Sequence, residues 1–167
     1  MTTTLETPQT TPSLDTLYVA AGLGQYVDLG NHRARVKANA DTTGGDLLLL
    51  EIDADYRGGV PPHVHSLEDE TFYVLEGTFE VWIAGEKVEL GPGDTALGVR
   101  NVPHAWFCTS PGGGRLLLVV TPGANFQAFA MKMAADNIVP NANTSKEELV
   151  EFTKFALRHG IEMLLGE

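Results

Sequence analysis

The sequence predicts a mainly β fold, a small antiparallel sandwich or barrel followed by C-terminal helices. Three observations carry this. Short strand-like segments recur from Tyr26 to Thr121, each closed by a turn signal. The 18 glycines and nine prolines favour frequent turns and short strands over long helices. After Pro122 the apolar spacing changes from that of strands to that of helices.

The opening MTTTLETPQTTPS, residues 1–13, is biased to Thr and Pro and is expected to be a disordered tail. The β-barrel is expected over residues 14–122. Its first strands are Tyr26–Leu29, His32–Ala38 and Asp46–Ala54, with a turn at Asp41–Gly45. Arg57-Gly-Gly-Val-Pro-Pro62 is expected to break the strand pattern. Strands then follow at Glu70–Leu75, Thr78–Ala84, Val88–Leu90, Thr95–Val99, His104–Thr109 and Arg115–Thr121, the last being the final strand expected. Residues 123–167 form a helical segment packed on the barrel. One helix, Asn125–Ala134, carries Phe126, Phe129, Ala130 and Met133 at helical spacing. After a loop at Asn137–Asn143, a second runs from Thr144 to Leu165. Ser145 with Glu148 three residues on makes a capping box, Leu149, Phe152, Phe155 and Ala156 make the apolar stripe, and Gly160 ends or bends this helix.

Charge excludes several functions. The formal net charge is −11 with only eleven Lys and Arg, which excludes phosphate-backbone recognition and docking on anionic lipid. No apolar run has the length of a membrane span, and the N-terminus lacks the basic and apolar blocks of a secretory signal, so a cytoplasmic location is expected. The single cysteine, Cys108, permits no intramolecular disulfide and no cysteine-based zinc site, and it reads as a small buried hydrophobe.

The chemistry concentrates in the histidines. His63 and His65 stand two apart, so on a strand both point to one face. Glu70 follows five residues later, an odd offset that would place it on the opposite face of an unbroken strand. The polar run Ser66-Leu67-Glu68-Asp69 reads as a turn or bulge that resets the phase and brings Glu70, Phe72 and Val74 to the interior. His104 opens a later strand and shares a face with Trp106 and Cys108. Three imidazoles and a carboxylate suit one divalent first-row transition metal, with positions left for water, substrate or oxygen. Zinc favours a closed site, whereas Ni, Co, Mn or Fe accept an open one, and the residues do not choose. His32 and His159 read as surface or hydrogen-bonded side chains. Phe72, Val74, Trp106 and Leu118 are candidate pocket walls and Phe126, Phe129 and Met133 a candidate roof, each with ordinary core packing as its alternative.

The stretch PPHVHSLEDETFYVLEG resembles the first motif of the cupin superfamily, with His63, His65, Glu70 and Gly77 matching in identity and spacing. Arg57 stands where that motif begins with glycine. In the second motif Gly93 and His104 match, while Val99, Asn101 and Cys108 replace its proline, glycine and asparagine. Asn101 is a mild departure, because asparagine tolerates left-handed backbone. The resemblance implies a small conical jelly-roll barrel holding the metal inside, commonly as a homodimer. More loosely, GDTALGVRNVPHAWF, the VTPG strand end, the Phe-rich helix and RHGIEMLLG resemble single-domain cupins related to quercetin 2,3-dioxygenase. That implies insertion of O₂ into a flavonol or similar enolised aromatic small molecule, with Glu70 as both ligand and proton acceptor. The alternatives are an isomerase, cyclase or lyase on the same metal, or a small-molecule binder without chemistry.

Overall fold

In the computed structural model, residues 17–141 and 143–164 are described; the expected tail at 1–13 and Leu165 lie outside them. Among the described residues, eleven strands form two antiparallel sheets. The first sheet holds β1 (Gln25–Asp28), β2 (His32–Ala38), β3 (Leu48–Ala54), β10 (Gly114–Thr121), β5 (Asp69–Glu76) and β8 (Thr95–Gly98), in that spatial order. The second holds β11 (Ile161–Met163), β4 (Gly59–His65), β9 (His104–Cys108), β6 (Phe79–Ile83) and β7 (Glu86–Leu90). No ladder joins the sheets among the described residues, so the jelly roll is an open sandwich with a shared core.

Alternation builds that core. Leu48, Leu50, Ile52 and Ala54 of β3 are buried while the residues between them are half-buried, and β10 buries Leu116, Leu118 and Val120 in the same rhythm. The opposing sheet contributes Phe79, Val81, Trp106 and Cys108. Side chains at every second position meet between the layers, and their removal from water is the main stabilising term.

The Arg57–Pro62 run does not break the strand. β4 continues through Pro61 and Pro62, and its ladder with β9 shifts register between Val60 and His63. The prolines fall in that irregularity, where their missing N–H groups cost no ladder hydrogen bond. Arg57 itself has φ +64, the left-handed backbone that glycine adopts most easily.

The two helices are α1 (Ala124–Ala135) and α2 (Lys146–Arg158). The capping box forms: Ser145 Oγ accepts from Glu148 N at 3.2 Å, and Glu148 Oε2 accepts from Ser145 N at 2.8 Å. Phe129 of α1 stacks on Phe155 of α2, with ring centroids 5.2 Å apart. The helix expected to reach Leu165 stops at Arg158. Gly160, at φ +74, turns the chain, and Ile161–Met163 adds β11 to the free edge of β4, opposite His65, Val64 and His63. The unpaired edge of β4 offers backbone partners that a continued helix would leave unmet. No helix among the described residues is long and apolar enough to cross a membrane.

Candidate metal centre

Three strands deliver the four candidate ligands. β4 places His63 and His65 on its buried face, and His63 lies directly across the ladder from His104 on β9. Glu70 comes from the opposite sheet, on β5, where it faces Gly98 of β8. The Ser66–Glu68 connection resets the phase, so Glu70, Phe72 and Val74 are all buried. The loop before His104 is held to the same region. Asn101, at φ +63, donates its N–H to His65 O at 2.6 Å. Arg100 binds Asp69 Oδ1 through its backbone N–H at 2.8 Å, and hydrogen bonding from Arg100 holds the Asp69 carboxyl down at about 2.

One ligand atom from each of the four side chains lies within 4.8 Å of the others. Glu70 Oε2 is 3.1 Å from His104 Nε2, 3.7 Å from His65 Nε2 and 3.8 Å from His63 Nε2. Two ligands bound at about 2.1 Å to one ion sit about 3.0–3.4 Å apart, so the cluster is close to coordination spacing. The second ring nitrogens set the tautomers. His63 Nδ1 donates to Pro61 O at 2.8 Å, His104 Nδ1 to Val102 O at 2.9 Å, and His65 Nδ1 to Glu68 Oε2 at 3.2 Å. Carbonyl and carboxylate oxygens only accept, so each Nδ1 carries the proton and each Nε2 turns a lone pair toward Glu70. Four buried electron pairs aimed at one point repel unless a cation lies between them. The donor set therefore fits a divalent transition metal, and protons on the same nitrogens compete with it. When protons rather than a metal occupy these Nε2 atoms, burial still opposes ionisation of Glu70, but the charge on His65 and hydrogen bonds from His104 and His63 outweigh it and hold the carboxyl far below its usual range. Burial also lowers His63, whereas at His65 the charges of Glu70 and Glu68 overcome burial and raise it.

Residues 52–120 match the family model described as Cupin domain. Over these residues the chain resembles a cupin domain. Over 86 residues it is 28% identical to quercetin 2,3-dioxygenase of Bacillus subtilis (strain 168), covering 52% of this chain and 26% of that protein. Over 69 residues it is 35% identical to the pectin degradation protein KdgF of Dickeya dadantii (strain 3937), covering 41% of this chain and 63% of that protein. The chain thus matches less than two thirds of the length of either curated relative. Among solved structures, KdgF from Halomonas sp. shares the fold with a TM-score of 0.56 at 24% identity, over 63% of this chain and 92% of that one.

The sandwich opens beside the cluster into a cavity. His63, His65 and Glu70 line it, and His104 sits fully buried behind them. Of the expected walls, Trp106, Leu118, Phe126, Phe129 and Met133 lie on the cavity. Phe72 and Val74 do not. Farther along β5 than Glu70, they are packed into the core, where the Phe72 ring meets His104 edge-on at 6.4 Å and Trp106 at 6.4 Å. They brace the site from beneath.

Three residues near the candidate metal centre escape a reading of the sequence. Glu68, which reads as part of a solvated turn, is fully buried and serves His65. Asn125, at the start of α1, donates to Glu68 Oε1 at 2.6 Å and to His159 O at 2.7 Å. His32, although hydrogen-bonded as expected, is buried on the cavity wall and not at the surface. A charged run such as SLEDE carries no periodic signal that singles out its buried member. The HxH spacing marks ligands, but nothing local marks a lone histidine as a wall. His159 is half-buried, with Nδ1 3.2 Å from Asn125 Oδ1 and its ring edge-on to Phe155 at 5.0 Å.

Proposed function

We propose that the chain is a metal-dependent cupin enzyme of the quercetin 2,3-dioxygenase type, inserting O₂ into a flavonol or a similar enolised aromatic. The observation that carries this reading is the cavity. Its wall is mostly aromatic and aliphatic, contains no Lys or Arg among the described residues, and ends on the three-histidine, one-glutamate cluster. A flat apolar ring loses water favourably against Phe126, Phe129 and Trp106. When bound, a divalent metal acidifies and orients an enolic hydroxyl. Glu70, kept ionised, accepts the hydroxyl proton at a carboxylate oxygen. Because its pKa is depressed, Glu70 is a weak base, and proton transfer requires that acidified partner. The helices α1 and α2 contribute Phe126, Phe129 and Phe152 to the cavity lining.

The match to the pectin degradation protein favours a second reading, an oxygen-independent lyase or isomerase on the same centre. Fragments of pectin carry carboxylates, and among the described residues this wall offers no Lys or Arg to pair with one. The dioxygenase reading is therefore preferred.

Oxygen uptake with quercetin tests it. The protein is stripped and reloaded separately with Ni²⁺, Co²⁺, Mn²⁺ and Fe²⁺, with His104→Ala alongside. The expected result is uptake coupled to loss of quercetin in the wild type and absent in the variant. Bound metal without uptake, for all four ions, overturns the reading, and anaerobic turnover of a sugar acid establishes the second.

A further inference from the structure

Asn31 and His32 form a hydrogen-bonded unit on the cavity wall that the metal chemistry does not use. Asn31 is clamped on the backbone of Gly59: its Nδ2 donates to Gly59 O at 3.1 Å, and its Oδ1 accepts from Gly59 N at 3.3 Å. This pair fixes which end of the amide is oxygen. The same Oδ1 lies 2.7 Å from His32 Nδ1. An amide oxygen only accepts, so Nδ1 carries the imidazole proton and Nε2 presents a lone pair. Among the described residues no group donates to Nε2, and every sealed side-chain nitrogen or oxygen there has a partner. Nε2 is therefore open to space. With His32 only 7% exposed and on the wall, that space is the cavity. The ring is held edge-on to Trp106, with centroids 5.1 Å apart.

We infer that His32 determines substrate specificity at a second point of the cavity, its Nε2 accepting a hydrogen bond from a hydroxyl other than the one presented to the metal. The substrate class is then an apolar ring system with two separated hydroxyls. Burial pushes the His32 pKa down to about 4, so the ring is uncharged at neutral pH and selects a neutral donor over a carboxylate. A buried acceptor left without a donor is costly, so a ligand lacking the second hydroxyl is rejected. The inference rests on the cavity being the substrate site, as proposed above, and is independent of the oxygen chemistry.

The test uses the full chain loaded with Zn²⁺, which has no redox chemistry. Dissociation constants are measured by calorimetry for 2,6-dihydroxynaphthalene and for 6-methoxy-2-naphthol, which share a body and differ in one donor. The wild type is expected to prefer the dihydroxy compound about three- to tenfold. His32→Phe is expected to bind both alike, and His32→Gln, whose amide oxygen still accepts, to recover part of the preference. The ¹⁵N resonance of His32 Nε2 in the wild type should move with the dihydroxy compound and stay in place with the methoxy one, a readout that needs no variant to fold. Equal binding by the wild type, no binding of either compound, a preference that survives in His32→Phe, or an unmoved resonance overturns the inference. Absence of oxygen uptake with quercetin, alongside the expected selectivity, removes only the dioxygenase reading.

Discussion

Glu68 Oε2 lies 3.2 Å from Nδ1 of His65, and both side chains are sealed from solvent. This carboxylate orients a candidate metal ligand and fixes its tautomer. Through Asn125 the same carboxylate reaches the first turn of α1 and the carbonyl that follows α2. The helices are thereby tied to the centre by hydrogen bonds as well as by packing.

Glu68→Gln is expected to lower metal affinity about 10–100-fold, the usual effect of losing a partner of a ligating histidine. Competition against a chromophoric chelator reads it directly. Glu68→Ala should in addition cost about 1–3 kcal/mol of folding stability, since His65 Nδ1 and Asn125 Nδ2 both lose an acceptor. Unchanged affinity in both variants would mean that the ladders around β4 orient His65 unaided.

Gly98 tests the packing behind His104. A Cβ at this position would stand 3.0 Å from Cγ, Cδ2 and Nε2 of the His104 ring. Gly98→Ala should displace the ring by a few tenths of an ångström and weaken metal binding by about 1–3 kcal/mol, the range seen for overpacked sites. Gly91→Ala is the control, because its Cβ would meet only Asp94 Oδ2, at 3.8 Å. Equal affinities for the two variants would show that the ring has room to move.

Gly160 is the hinge that converts the end of α2 into β11. Its φ is +74, and an added Cβ would lie 2.5 Å from Ser66 Oγ. Gly160→Ala should destabilise the fold by about 1–3 kcal/mol, which for a chain of this size lowers Tm by about 2–4 °C per kcal/mol. Amide exchange should accelerate at Ile161 and Met163 while the middle of α2 stays protected. Uniform acceleration along α2 would argue against a local hinge.

His32 makes stability depend on pH. Its folded pKa, about 4, lies below the ordinary histidine value of 6.5, chiefly through burial. The unfolded chain therefore binds the proton more readily. The stabilisation is complete above about 6.5 and is lost as pH falls through about 4, to a limit of about 3 kcal/mol. Denaturant melts of the wild type and His32→Phe across this window should give a difference curve that slopes upward with pH. A flat difference would mean that His32 is hydrated in the folded state.

Much of the sandwich was legible because its signals are local. Turn residues bound the strands, alternation marks their buried faces, and Ser145 with Glu148 marks the start of α2. The two prolines of β4 misled, because proline reads as a strand breaker unless a bulge is known to fall there. Residues 161–163 misled for a different reason. The tripeptide Ile-Glu-Met after a glycine is compatible with either conformation, and the edge that recruits it is formed by residues 63–65, nearly a hundred positions earlier.

The sequence by itself marked four side chains as candidate ligands, through their spacing and its resemblance to the cupin motifs. A two-residue spacing on a strand puts His63 and His65 on one side, a polar turn resets the phase so that Glu70 points to the interior, and His104 begins a strand whose alternate residues are apolar. These are consequences of backbone geometry over a few residues. Only the tertiary structure decided that Glu68 is buried while Asp69 is half-buried and paired with Arg100, that His32 is a wall and Phe72 a brace, and that β11 closes the edge beside the ligands. Each of these depends on which surfaces remain unpaired once the sheets have met, and that is a property of contacts between segments, such as the 57-residue separation between Glu68 and Asn125.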